Sequence, residues 1–552
     1  MIPLLDAKLT KSCSVQAMRG ADSGICMVTF ELLLVLIAFC VALAMLAQRL
    51  NLPVAVPLIL GGMALAFVPG LPTIELNPEL ALALFLPPLL QASAYRTDWP
   101  AFKSNLRPIL LLAIGAVFFS AGAVAVVAKW MVPELPWWAA IALGAIVAPP
   151  DAVAAASVLK QFNLPKRMVV VLQGESLLND ASSLVLYRFA VAAVAAGTVS
   201  YGQGALQFVG TAVGGTLVGW LVGRAAMWLF AHTKDTLLDI TLSLLAGFGA
   251  YLAAEAVHGS GVLAAVACGL VLGRKQHAEF TARTRLELNA VWGFVEFLLA
   301  SLVFMLIGLQ LRGIVSRLAD YDWSQLALLG LAVSGVLIVS RFVWIFPVAW
   351  LPRLLSKRLR ESDPMMPWSQ LTVLSWAGMR GVVSLAVALS LPTGFPGRDI
   401  IVFLAFCAIF ATLVLQGTTL GWLLRRLKVE EPEAVLPEPE TAQLRAEIAG
   451  AARDAVRAHS DSDSATEHSE AASELVEEYE VRAERASVEG QDLETQAQKL
   501  VAQQRLRLVA IDAARKKLAE QTDQVDADVH RTLGEELDLE EQQIRRALGE
   551  EA

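Results

Sequence analysis

Charge is scarce along most of this chain. Only 17% of the 552 residues are Asp, Glu, Lys or Arg, 56% are hydrophobic, and the mean hydropathy is +0.56. A water-soluble domain runs nearer a quarter charged, so that class is excluded for the bulk of the sequence. Cysteine is sparse too: Cys13, Cys26, Cys40, Cys268 and Cys407 make no CxxC pair and no metal-ligand spacing, which argues against a disulfide framework. There is no Gly-rich phosphate loop, no HExxH and no repeated filter-like loop. ATP-driven chemistry, metalloprotease chemistry and a filter-type channel therefore lose their usual signatures. No cofactor and no nucleic-acid partner are expected, and no secretory signal precedes the first apolar run.

The scarcity ends near residue 430. Up to there, long apolar runs alternate with short basic loops; beyond it lies a tail rich in Glu, Asp, Arg, Ala and Gln, which carries the acidic excess behind the net charge of −8. A spanning helix takes roughly 20 mainly apolar residues. That ruler finds about thirteen windows, from Val28–Leu46 to Ile400–Leu424, with Pro53–Phe67 and Gly261–Leu272 the shortest. Alternate loops hold nearly all the cations, such as Lys160, Lys166 and Arg167, or Arg353, Lys357, Arg358 and Arg360, while the others keep only Lys129, Arg312, Arg317 and Arg398. By the positive-inside rule the N-terminus is outside and the tail cytoplasmic. The expectation is an all-α polytopic membrane protein of the cell membrane, with an N-terminal arm (1–27), a transmembrane domain (28–428) and a charged helical cytoplasmic tail (429–552).

Ionisable side chains within spans are costly and mark ion or proton pathways. The fifth window, Trp137–Leu159, holds Pro149, Pro150 and Asp151; the sixth, Met168–Ala195, holds Glu175, Ser176, Asn179 and Asp180; the twelfth, Leu371–Leu391, holds Gly378, Arg380 and Gly381. Tandem prolines cannot donate hydrogen bonds and displace carbonyls four residues back, here those of Ala145 and Ile146, so this helix is expected to be interrupted. Ser176 and Asp180, one turn apart, share a helical face, whereas Glu175 is turned by about 140° from Asp180. Asp180 with Ser176 is thus assigned to an ion cavity, and Glu175 to a structural pair with Arg380. Glu255 and Glu296 are expected to be structural, Asp239 interfacial, and Arg188 free to reach the membrane surface.

These residues resemble the monovalent cation:proton antiporter family, of the sodium/proton exchanger type. Gly174–Asp180, with its Asn179-Asp180 pair, and Gly378-Met-Arg-Gly381 carry the likeness, joined by His258–Leu263 and Leu302–Leu309. The resemblance implies a thirteen-helix fold with inverted repeats, two unwound helices crossing beside the sixth, and a homodimer in the lipid bilayer. It implies that Asp180 binds cation or proton alternately, that Asn179 is typical of electroneutral members, and that Asp151 belongs to the unwound helix. Na+ (or Li+ or K+) would sit at Asp180, Asp151 and Ser176, with Pro150 contributing its carbonyl. Departures are Pro150 before Asp151 where threonine is usual, the Gln91-Ala92 pair where the third span usually has an acid, and Ala300 where an asparagine is expected.

The expected function is exchange of Na+ for H+ by alternating access, without catalysis. The alternatives are a K+/H+ antiporter of the same architecture, a channel, and an intramembrane protease, for which Ser260 has no evident base. In the tail, the spacing of Leu506, Val509, Ala513 and Leu518 predicts a helix.

Overall fold

A backbone in hydrocarbon has no water to bond, so it must satisfy its polar groups within each segment. The computed structural model bears out an all-helical chain: every regular element among the described residues is a helix. These residues are 34–50, 52–69, 78–151, 155, 159, 162, 164–196, 201–233, 235–280, 282–318, 322–355, 357, 365–429, 439–460, 475–481, 492–520 and 527–548. The N-terminal arm lies outside them. Contacts divide the chain into two units, residues 1–430 and 431–552.

The first unit runs through α1 (Leu34–Arg49), α2 (Ala55–Ala66), α3 (Pro78–Tyr95), α4 (Leu106–Met131), α5 (Trp137–Val147) and α6 (Lys166–Ala196). It continues with α7 (Tyr201–Phe230), α8 (Thr236–Ala256), α9 (Gly261–Glu279), α10 (Ala282–Leu309) and α11 (Trp323–Leu355). Two short helices, α12 (Trp368–Trp376) and α13 (Val382–Leu389), precede α14 (Arg398–Leu427). Among the described residues, seven helices are long and apolar enough to cross a membrane, and five shorter apolar ones accompany them. The chain is a multi-pass membrane protein.

Its outer faces are apolar as well as its core. On α7, Val213, Leu217, Trp220 and Leu221 are exposed; in water such a surface would aggregate, whereas lipid solvates it. The opposite face of α7 carries Gly215, Gly219 and Gly223 at every fourth position. A Cβ on Gly215 or Gly219 would strike the backbone of Ser260 or Ala264, so the bare glycines let α7 and α9 pack backbone to backbone. Ends are capped locally: Asp235 accepts from the amides of Leu237 and Leu238 at the start of α8, and Ser260 from that of Leu263 at the start of α9.

Interruptions distinguish the helices around α6. α5 stops at Val147, and the prolines carry the chain on as irregular backbone to Asp151. α12 and α13 are separated by the irregular stretch Ala377–Gly381. α4 and α14 each widen into a π-turn, Leu111–Ala116 and Thr412–Gln416, a distortion often found at functional sites.

In the second unit α15 (Pro439–Ser460) is followed by α16 (Asp492–Glu520) and α17 (Ala527–Leu548), which pack on each other. Arg515 of α16 pairs with Asp538 and Glu541 of α17. The predicted helix is present, but Leu506 and Val509 point outward. Ile511, two residues beyond Val509 on another face, is the buried one, with Ile544 of α17.

Candidate functional site

The two interrupted helices meet in the middle of the first unit. The amide of Asp151, released from its own helix, donates to the carbonyl of Met379 at 2.7 Å, so the two irregular stretches are hydrogen-bonded to each other. Helix ends leave carbonyls unpaired and concentrate partial negative charge there. Two buried arginines answer this. Arg380 Nε donates to the Val147 carbonyl that ends α5 (2.7 Å), and its Nη1 to Gly378. Arg341, from the middle of α11, donates to the carbonyls of Leu374 (3.1 Å) and Ser375 (3.3 Å) that end α12. The π-turn of α14 brings Thr412 to accept from the Arg380 amide at 3.0 Å. The carbonyls that accept from buried side chains here are those of Val147, from Arg380, and Pro150, from Asn179.

Glu175 is paired, but with a different cation from the one expected. Its two oxygens take Arg341 Nη1 and Nη2 at 2.6 and 3.2 Å, a bidentate arrangement with both side chains almost fully buried. Arg380 lies within electrostatic range of Glu175 but makes no hydrogen bond to it, and its Nη2 has no partner. The reason is reach: the Arg380 guanidinium is committed to the end of α5, while Arg341 approaches from α11 along the side of α6 that carries Glu175. Sequence reasoning missed Arg341. Its signal was a lone arginine deep inside the apolar window Leu326–Trp350.

On the other side of α6 lies Asp180, buried, with neither ion pair nor hydrogen bond to any described residue. It lines a cavity of about 50 Å³ together with Asp151, Ser176 and Ser93 and a mostly apolar wall that includes Phe304 and Ala300. Asp151 and Ser176 also line a larger cavity of about 270 Å³, which runs past Gln173 to Phe162 and Leu164. Asp151, Ser176 and Asp180 are thus brought together. Asp151 rests on Gly381 at the N-terminal end of α13, so closely that a Cβ there would overlap its carboxylate; that end of a helix favours a negative group.

Asn179 and Pro150 have a different place. Asn179 is fully buried, and its Nδ2 donates to the Pro150 carbonyl at 2.6 Å. It is a strut from α6 to the interrupted strand of chain after α5 and does not line the small cavity. The remaining acids are paired off the site: Glu255 with Arg188 at 2.9 Å, Glu296 with Arg96 at 2.7 Å, and Asp239 with the Thr233 hydroxyl. Arg188 is held by Glu255 in a pair whose side chains are both partly exposed. Gln91, standing where an acid was expected, faces away from Asp180 and donates to Ser243 of α8 at 2.8 Å.

Comparison with known proteins places this fold in a family. Residues 35–426 match the family described as "Sodium/hydrogen exchanger, transmembrane". An uncharacterized Na(+)/H(+) exchanger of Mycobacterium tuberculosis is 35% identical over 421 residues, 74% of this chain and 77% of the relative. The sodium, potassium, lithium and rubidium/H(+) antiporter of Bacillus subtilis is 34% identical over 411 residues, 71% of this chain and 61% of its own. Among solved structures, the sodium proton antiporter MjNhaP1 of Methanocaldococcus jannaschii superposes with a TM-score of 0.57 at 17% identity, covering 73% of this chain and 99% of that one.

Proposed function

This chain belongs to the sodium/hydrogen exchanger family, a family of transporters rather than enzymes, and from that premise we propose that it exchanges Na+ for H+ at Asp180. The observation that carries the proposal is a buried carboxylate with no counter-charge among the described residues, opening on a cavity shared with Asp151 and Ser176. A carboxylate in a spanning helix is too costly to leave unbalanced. If the protein supplies no cation for it, a transported ion or a proton must.

The two ligands then exclude each other, and the site crosses only when one is bound. One cation is exchanged for one proton, without net charge movement. The larger cavity lies at the end that loop charges assign to the cytoplasm, which supports an inward-facing conformation in an alternating-access cycle. The N-terminus lies outside, the tail in the cytoplasm of a cell-membrane protein, and the assembly is a homodimer, as the family resemblance implies. A second reading, K+ in place of or beside Na+, is supported by the breadth of ions in the name of the B. subtilis relative.

The test is exchange in proteoliposomes with a pH-sensitive dye, offering sodium, lithium and potassium in turn. The parent should move protons against at least sodium, without acceleration by an imposed membrane potential. Asp180→Asn should be inactive yet as well assembled as the parent, and apparent cation affinity should weaken by about tenfold per unit fall in pH below the site's pKa. Normal exchange by the Asp180→Asn protein would refute the assignment.

A further inference from the structure

We propose that Ser93 of α3 supplies a further oxygen to the transported cation; the proposal rests on the antiport at Asp180 and names an additional group in its site. The face of α3 that turns to the small cavity is Leu82, Phe85, Leu86, Leu89, Leu90 and Ser93, spaced by threes and fours as one side of a helix must be. Ser93 is the only polar member of that stripe. Two residues earlier, Gln91 is turned by about 200°, which is why it bonds Ser243 of α8 and cannot serve the ion. Ala92 is likewise buried away from the cavity, among residues of α8, α9 and α10.

A serine inside a helix ordinarily returns its hydroxyl to a carbonyl one turn back. Thr216, Thr241, Ser334 and Ser375 do so on other helices, and Thr97, just beyond the end of α3, returns its hydroxyl to the Ser93 carbonyl at 3.0 Å. The Ser93 hydroxyl makes no hydrogen bond to any described residue. It is an uncommitted oxygen bordering the same small space as Asp151, Ser176 and Asp180. A cavity of about 50 Å³ has room for an ion with only a few waters. A hard monovalent cation there must draw its remaining ligands from very few oxygens, because the rest of the wall is hydrocarbon. Ser93 stands on the helix that lacks the expected acid, one residue beyond the Gln91-Ala92 pair, and offers a neutral ligand in place of a charged one. That leaves the negative charge of the site with Asp151 and Asp180.

Three substitutions test this in proteoliposomes, with Asp180→Asn run beside them. Ser93→Ala and Ser93→Cys should each raise the apparent KM for sodium about fivefold, the loss of roughly one polar interaction, with a smaller change in maximal rate. Cysteine fills the same space, so it separates loss of a hard oxygen from an emptied volume. Ser93→Thr keeps the hydroxyl and should stay within about twofold of the parent. A sodium titration of melting temperature in detergent should show the same displacement to higher sodium for the alanine and cysteine proteins. A purely structural Ser93 would lower yield or rate without moving either sodium midpoint. Parental KM in both Ser93→Ala and Ser93→Cys overturns the role of Ser93 alone. A parent that exchanges none of sodium, lithium and potassium overturns the antiport at Asp180, and Ser93 with it.

Discussion

The pair formed by Glu175 and Arg341 can be broken from either side, and the two breaks are not equivalent. The side chains are 1% and 2% exposed and share two hydrogen bonds, at 2.6 and 3.2 Å. Removing one partner of a buried pair leaves the other charged and unsolvated, at a cost of about 3–5 kcal/mol, whereas replacing both with apolar groups of similar size is often close to neutral. Here Glu175 is the acid nearest two guanidiniums, since Arg380 feels both Arg341 and Glu175. Glu175→Leu should therefore be the most damaging change, leaving Arg341 and Arg380 facing each other. Arg341→Met strands one carboxylate and also uncaps the Leu374 and Ser375 carbonyls of α12. The double variant should regain part of the loss but not all of it, because those carbonyls stay unpaired. Equilibrium unfolding in mixed micelles of the parent, both singles and the double gives the cycle. The expected coupling is about 1–3 kcal/mol. Single effects that simply add, or a Glu175→Leu protein as stable as the parent, would refute the pairing.

Two further outcomes follow from close contacts. Gly381→Ala puts a Cβ into the Asp151 carboxylate and should slow exchange by about tenfold or more, since small displacements of positioned groups are expensive; Gly210→Ala, with open space at its Cβ, is the control, and a parental rate for Gly381→Ala would show that Asp151 is not held there. In the tail, hydrogen bonds from Arg545 and Arg515 hold the Glu541 carboxyl below its ordinary value, so its contribution is present above that value and fades as pH falls through the lowered one. Hydrogen exchange of residues 527–548 in the full-length protein should accelerate in Arg515→Ala and, in the parent, only as pH drops into the carboxylate range; protection that ignores both changes would exclude the Arg515–Glu541 clasp.

What could be read from the sequence follows how local the governing physics is. The all-helical character and the interruption at Pro149-Pro150 depend on neighbours in the chain, and both are present among the described residues. So is the separation of Glu175 from Asp180, which needs only that α6 be continuous. The partner of Glu175 depends on which helix packs against which side of α6, and nothing near Glu175 or Arg380 encodes that. Arg341 is 166 residues away in a stretch whose apolar character hid it. The same limit applies to Asn179, which the resemblance placed in the cation/proton site: one residue from Asp180 is about 100° of rotation, and its side chain meets the Pro150 carbonyl. In the tail, helical periodicity was visible, but which of several apolar positions would be covered depended on α17.

α6 therefore carries two acids with opposite requirements, and the helix itself keeps them apart. Glu175 faces α11, where Arg341 is a permanent counter-ion that also caps α12, and charge on that side is balanced without any ligand. Asp180, about 140° around the same helix, faces α3, α10 and α13, which present it with leucines, Phe304, Ala300 and one serine, but no cation among the described residues. An arginine able to reach Asp180 would satisfy it as fully as Arg341 satisfies Glu175, and a satisfied acid has no reason to take an ion. The apolar wall is what keeps Asp180 dependent on something that can leave. The two arginines meanwhile bond the carbonyls that end α5 and α12, next to the irregular stretches that carry Asp151 and Gly381. If Asp180 is the exchange site proposed above, stability and transport fall to different faces of one helix.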